Sequence, residues 1–231
     1  AYVTKLALQQ RYPCPNFSRG ISDVVLPDQS IVAGSRPLRQ DLDSVTLVFV
    51  GTMSQLYKAP DVLIKAVAVC IKEGLDLKLL MLGDGKYRAE LENLAVAQNV
   101  ADRVKFLGQL AAGDAVQAQL DRADLFVLPS LTEGLPRAII EAMARALPCI
   151  ASNVGGIPEL LPSEDLFTPG DVNALASKIR EVVTNPDRIA QMSARNLATA
   201  QEYRDTVLKE QRIEFYRHVR ERTEAWLSNQ Q

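Results

Sequence analysis

The chain has 231 residues, enough to bury a substantial core in one or two domains. It is 47% apolar and 23% charged, with 26 basic against 28 acidic residues, and a net charge of −2 makes no electrostatic case for nucleic acid as a partner. No apolar run reaches the roughly eighteen residues of a spanning helix, and the opening AYVTKLALQQRYP lacks the pattern of a signal peptide.

Residues 1 to 44 are expected to be irregular. Pro13, Pro15, Pro27 and Pro37, with Gly20 and Gly34, punctuate short apolar pieces, as in a connecting segment at the edge of a further domain. The initial Ala points the same way, to a fragment or a processed chain. From Val45 the rhythm is regular. Val45 to Val50 reads as a strand and Asp61 to Glu73 as a helix, with Leu63, Ile64, Val67, Ala68 and Ile71 on one face. Leu77 to Leu82 is the next strand and Tyr87 to Gln98 the next helix. Val104 to Leu107 is a strand, Ala115 to Asp121 a helix, and Leu125 to Leu128 and Cys149 to Ala151 complete the strand set. Short apolar strands bounded by Gly, Pro or Asp, alternating with helices, imply a parallel sheet covered on both faces. After Pro169-Gly170 the pattern is helical: Asp171 to Val183, Asp187 to Tyr203 and Asp205 to Leu227, each opening on an Asp suited to a helix start. Leu208, Phe215, Val219 and Trp226 of the last helix share roughly one face, which needs cover. Cys14, Cys70 and Cys149 are odd in number and far apart, which suits a reducing cytoplasm better than a disulfide framework. His218, the sole histidine, cannot build a His-based metal cluster and reads as a solvated helix position.

Three loops at strand ends carry candidate chemistry. Gly51 ends the first strand, and Lys58 stands just before a helix N-terminus, where a cation beside free N–H groups suits a phosphate. Taken alone, that segment reads better as a solvated loop lysine. Gly83-Asp84-Gly85 resembles a nucleotide loop, but alone it reads as a plain turn, and Gly108 is ambiguous in the same way. The stretch from Ala123 to Leu161 is more informative: strand, Pro129, polar loop with Glu133-Gly134, a helix opened by Pro136 and carrying Glu141, strand, Gly155-Gly156. Ligands of parallel α/β sheets sit beyond the carboxyl ends of the strands. The N–H groups of Gly134 and Leu135 near a helix start would offer a second anion site, and a carboxylate such as Glu141 accepts hydrogen bonds from vicinal hydroxyls. The structural alternative pairs Glu141 with Arg137 or Arg145, each four residues away.

The run Glu133-Gly134-Leu135-Pro136-Arg137-Ala138-Ile139-Ile140-Glu141-Ala142-Met143-Ala144 resembles the E-x7-E segment of retaining glycosyltransferases of the group 1 type, family 4. Gly51…Lys58, Gly83-Asp84-Gly85, Phe106-Leu107-Gly108 and Gly155-Gly156-Ile157-Pro158-Glu159 extend the likeness in the right order over about residues 45 to 165. The resemblance implies the GT-B fold of two Rossmann-like domains, of which this chain looks like the second. Residues 1–44 would be linker and the remnant of an N-terminal acceptor domain, 45–204 the nucleotide-sugar-binding domain and 205–231 a helix crossing back. It also implies a UDP- or GDP-sugar donor, a reaction without metal or other cofactor, and sugar transfer to a glycan, lipid or small molecule, as in polysaccharide biosynthesis. The setting would be cytoplasmic, with peripheral membrane association open for a full-length enzyme, and this chain alone would be inactive.

By the same resemblance Lys58 would contact the donor diphosphate, Glu141 the ribose and Glu133 the reacting sugar. Gly51, Thr52, Gly83, Leu107, Gly108, Gly134, Leu135, Pro136 and Arg137 would border the nucleotide sugar, with Leu107 and Gly108 near the base. Two positions depart from the pattern. Thr52 stands where many members have Arg, so the phosphate charge is less fully neutralised or an arginine such as Arg137 comes from elsewhere, and Pro136 has no N–H to offer. The alternatives left open are a nucleotide-sugar-binding module without catalysis and a related-fold UDP-sugar epimerase.

Overall fold

The apolar runs become strands where expected because each is short, β-prone and closed by a residue that cannot continue it. In the computed structural model, which describes residues 1–37 and 44–229, α1 (Ala7–Arg11) precedes β1 (Val45–Val50), α2 (Pro60–Lys72), β2 (Leu77–Leu82) and α3 (Arg88–Ala97). There follow β3 (Val104–Gly108), α4 (Asp114–Arg122), β4 (Leu125–Leu128), α5 (Arg137–Ala144) and β5 (Cys149–Ser152). β6 (Leu166–Phe167), α6 (Val172–Val183), α7 (Pro186–Ala200) and α8 (Asp205–Ser228) complete the chain. The end of the expected linker, 38–43, and the last two residues of the expected terminal helix lie outside the described residues.

All strand pairs are parallel, in the order β3-β2-β1-β4-β5-β6. Parallel neighbours need crossovers, and the helices supply them. α2 packs against α3 and α6, while α5 packs against α4 and α7. β4 and β5 are buried along their whole length, as strands covered on both faces must be. The order reverses direction between β1 and β4, which makes their carboxyl ends the switch point where this sheet type opens a crevice.

Several expectations change. The segment before β1 is not wholly irregular. It holds α1, whose first N–H groups are taken by a distant side chain: Glu159 accepts from the backbone of Lys5, Leu6 and Ala7 at 2.6, 3.0 and 2.7 Å. A sixth strand, only two residues long, extends the sheet beyond β5. Pro136 is the extended residue capping α5 rather than its first helical residue. α7 keeps Asp187 in its first turn, as expected of an Asp at a helix start, while Asn185 caps it, its side chain accepting from the Arg188 N–H at 3.0 Å.

The terminal helix is partly covered from within the chain. Leu208 is buried. Phe17 stacks on Phe215 at 6.0 Å and lies 4.1 Å from the His218 ring, so the helix position expected to be solvated at His218 is partly covered. Val219 and Trp226 remain exposed. No helix among the described residues is long and apolar enough to cross a membrane.

Candidate functional site

The loops after β1 and β4 meet at the switch point. Gly51 leaves β1 with its N–H on the Leu82 carbonyl, 2.9 Å away. A side chain at Gly83, which has φ +129°, would put a Cβ 1.9 Å from the Gly51 carbonyl oxygen. Close packing of the two strand ends thus accounts for glycine at Gly83, apart from any ligand. Thr52 is engaged locally, its hydroxyl accepting from the Ser54 N–H at 3.1 Å. The loop then tightens into a 3₁₀ turn over Leu56–Lys58 that delivers Lys58 to the start of α2.

From the other side, Pro129 ends β4 and the loop Ser130–Pro136 leads into α5. The Leu131 N–H donates to the Tyr57 carbonyl at 2.7 Å and ties the two loops together. The loop rests on Gly155-Gly156. Any Cβ at Gly155, φ +55°, would lie 2.0 Å from the Glu133 carbonyl oxygen, and the Gly156 N–H donates to the Gly134 carbonyl at 2.7 Å. Lys58 and Glu133, far apart in sequence, therefore come together: Nζ and Oε1 are 2.6 Å apart, with side chains 14% and 7% exposed. Removing both charges from water is costly, so the pair needs each other and further hydrogen bonds. Ser130 supplies one, its hydroxyl donating to the same Oε1 at 2.6 Å.

α5 starts with no acidic residue in its first turn and no side-chain cap. The first N–H groups of a helix lack partners within it, and its dipole is positive at that end, so an anion placed there would satisfy both. Arg137 opens α5. A cation there opposes the dipole, and it faces Glu141 at 3.7 Å, outside hydrogen-bond reach. Of the two arginines considered for Glu141, only Arg137 is beside it. Arg145 instead grips Asp121 through two bonds of 2.7 Å.

Glu141 and Arg137 line a cavity of about 500 Å³ with Ser30, Gln109, Leu110 and Val116 among the other walls. Burial pushes the Glu141 carboxyl above the ordinary glutamate range, and the Arg137 guanidinium pulls in the opposite direction. A half-buried carboxylate with one loose partner suits hydroxyl donors. The wall from β3 begins at Gln109. Gly108 sits one step back, accepting from the Gly83 N–H at 2.9 Å. A groove of about 520 Å³ between residues 16–17 and α8 holds none of the candidate residues.

The structure thus joins Lys58 to Glu133, places Gly134, Leu135 and Pro136 at the start of α5, and puts Arg137 with Glu141 in the cavity. Gly51, Gly83 and Gly108 form the packed strand ends behind, and Leu107 is half-buried within β3. Ser130 was not among the expected residues. Its signal was a serine three positions before Glu133 in a loop that leaves a buried strand.

The family profile described as glycosyl transferases group 1 matches residues 44–185. Protein CapJ of Staphylococcus aureus is 34% identical over 184 residues, 79% of this chain and 45% of its own length. A GDP-mannose-dependent monoacylated alpha-(1-6)-phosphatidylinositol monomannoside mannosyltransferase of Corynebacterium glutamicum is 38% identical over 146 residues, 59% of this chain and 38% of its own. Among solved structures, Anabaena Alr3699/HepE in complex with UDP and glucose superposes with a TM-score of 0.70 at 25% identity, over 76% of this chain and 49% of that one. Sucrose-phosphate synthase from Thermosynechococcus elongatus gives 0.74 at 25% identity, over 92% and 55%. These structural neighbours are GT-B glycosyltransferases, and the chain spans under half the length of the two relatives described. A six-stranded parallel sheet with paired Lys58 and Glu133 at its switch point, and a profile match over most of the chain, lead to one conclusion: this chain belongs to the group 1 glycosyltransferases.

Proposed function

We propose that this chain is the donor-binding part of a retaining glycosyltransferase of the family 4 type, holding a nucleoside diphosphate sugar for transfer to an acceptor hydroxyl. The observation that carries the reading is the buried Lys58–Glu133 contact at the switch point, beside the uncapped N-terminus of α5. A diphosphate at that helix start satisfies its N–H groups and draws Lys58 toward it. The ribose hydroxyls donate to Glu141, and the base enters the cavity bordered by Gln109 and Leu110. Glu133 then faces the sugar. The C1–O bond to the diphosphate breaks and a C1–O bond to the acceptor forms on the same face, while the acceptor's proton leaves with a diphosphate oxygen. Lys58 and the start of α5 stabilise the departing charge, which is where preorganised donors lower a barrier most. No metal is assigned a part in this reading.

Support for the donor class comes from the neighbours that hold UDP or UDP-glucose and from a relative named as GDP-mannose-dependent. Because the match spans under half of the relatives' length, the acceptor is assigned to a further domain facing the sheet's carboxyl edge, and this chain by itself is expected not to transfer sugar. Calorimetric titration with UDP, GDP, uridine and guanosine tests the reading. The expected result is saturable binding of one diphosphate, stronger than its nucleoside; no binding of either diphosphate would overturn it.

A further inference from the structure

Glu133 is gripped through a single oxygen. Lys58 Nζ and Ser130 Oγ both donate to Oε1, each at 2.6 Å, and neither bonds Oε2. Ser130 is fully buried, and its surroundings are fixed. The Ser152 hydroxyl donates to the Ser130 carbonyl, and the adjacent Leu131 N–H is held by Tyr57. The two donors differ in kind. Lys58 is a cation on a long flexible stem, which a diphosphate can attract away. The Ser130 hydroxyl is neutral, short and enclosed, and has no comparable competitor.

Resting on the donor-site reading above, we propose that Ser130 is a positioning residue that keeps Glu133 in place once Lys58 has turned to the diphosphate, so that Oε2 stays presented to the sugar. Without ligand, two donors hold the carboxylate and either one suffices. With the donor bound, the hydroxyl remains. Loss of that hydroxyl is therefore nearly silent toward the nucleoside diphosphate and shows only when the sugar is attached. A hydroxyl that merely satisfied a buried polar atom would show the opposite pattern, lowering stability and affecting both ligands alike.

The experiment titrates the chain with UDP and UDP-glucose, and with GDP and GDP-mannose, and follows the ratio of the two dissociation constants in the pair that binds. For Ser130→Ala the expected result is diphosphate affinity within about twofold of wild type and a ratio lowered about tenfold, as for loss of one hydrogen bond to a charged group. Ser130→Thr, which keeps the hydroxyl, restores the ratio. Ser130→Cys, which keeps the side chain's shape with a slightly larger atom and weakens the donor, gives an intermediate ratio and serves if the alanine variant does not fold. An unchanged ratio, an equal loss for both ligands, or a wild-type ratio of one would overturn the role of Ser130 while leaving the donor site standing. Failure of the wild-type chain to bind any of the four would remove the donor site and the role of Ser130 together.

Discussion

Asp165 and Glu133 are both carboxylates held by cations inside the fold, but their oxygens are engaged differently. Asp165 is fully buried and has each oxygen taken by a different arginine: Oδ1 by Arg188 at 3.0 Å and Oδ2 by Arg195. Arg188 also reaches the Glu164 carbonyl at 2.7 Å. Both oxygens of that carboxylate are closed off, although Arg195 Nε is buried without a hydrogen-bond partner among the described residues. Among the described residues, Glu133 has both of its side-chain donors on one oxygen, at the switch point of the sheet. On the proposed reading, the difference separates a charge cluster that fastens α7 to the turn before β6 from one that a ligand completes. Burial and pairing alone do not distinguish them; the unused oxygen does.

Breaking the closed cluster should have the largest effect. Asp165→Ala leaves two arginines without their buried partner and should cost about 3–5 kcal/mol of stability, read from urea unfolding. The nucleoside diphosphate affinity of the molecules that remain folded should be unchanged. Glu133→Gln should cost at most about 1.5 kcal/mol, because Ser130 still has a partner and Lys58 can turn to the crevice. Equal losses from the two substitutions would erase the distinction.

Opening the unfinished cluster from the other side is the next test. Lys58→Ala should weaken diphosphate binding by about 1.5–3 kcal/mol, the worth of a charge-assisted hydrogen bond, with little change for the nucleoside in the same calorimetric titrations. Equal loss for both ligands would remove Lys58 from the phosphates.

The pH dependence sharpens the comparison further. Burial raises the Glu141 carboxyl above its unfolded value. Its ionisation therefore opposes folding, and this contribution to stability is most favourable below the unfolded pKa and declines as pH rises through the window up to the folded pKa. On the donor-site reading, ribose hydroxyls bond the ionised form more strongly than the neutral one. Nucleoside affinity should accordingly fade as pH falls, starting above the ordinary glutamate range, and Glu141→Ala should flatten the profile. A profile unchanged by that substitution would place the ribose elsewhere. The smallest effect is expected at Arg137, whose side chain is 60% exposed. Arg137→Ala should change stability by less than about 1 kcal/mol and weaken the diphosphate by less than about tenfold, measured by melting and titration.

The sequence exposed most of the sheet because β1, β2 and β4 are apolar runs closed by Gly or Pro, so their bounds agree residue for residue with the expectation. It concealed β6, whose two residues carry no periodicity between a 3₁₀ turn and Pro-Gly. It concealed α1 because the carboxylate that caps it, Glu159, is more than 150 positions away. The same holds at the site. Glu133 and Glu141 were legible from one contiguous loop and helix, with Lys58 from a second loop. The direct contact of Lys58 with Glu133 was not, since it spans 75 positions and exists only once β1 and β4 are neighbours. Ser130 was within reach of local reading, but its hydroxyl has meaning only beside a carboxylate already held by a cation.

The most direct measurement is a crystal structure of this chain soaked with UDP or GDP. The expected result is a diphosphate at the start of α5 within reach of Lys58, with the Lys58–Glu133 contact lengthened, Ser130 still on Glu133 and the ribose hydroxyls on Glu141. A nucleotide bound elsewhere, or one bound here with Lys58 still on Glu133 and the diphosphate out of its reach, would contradict the assignment of this pair to the donor.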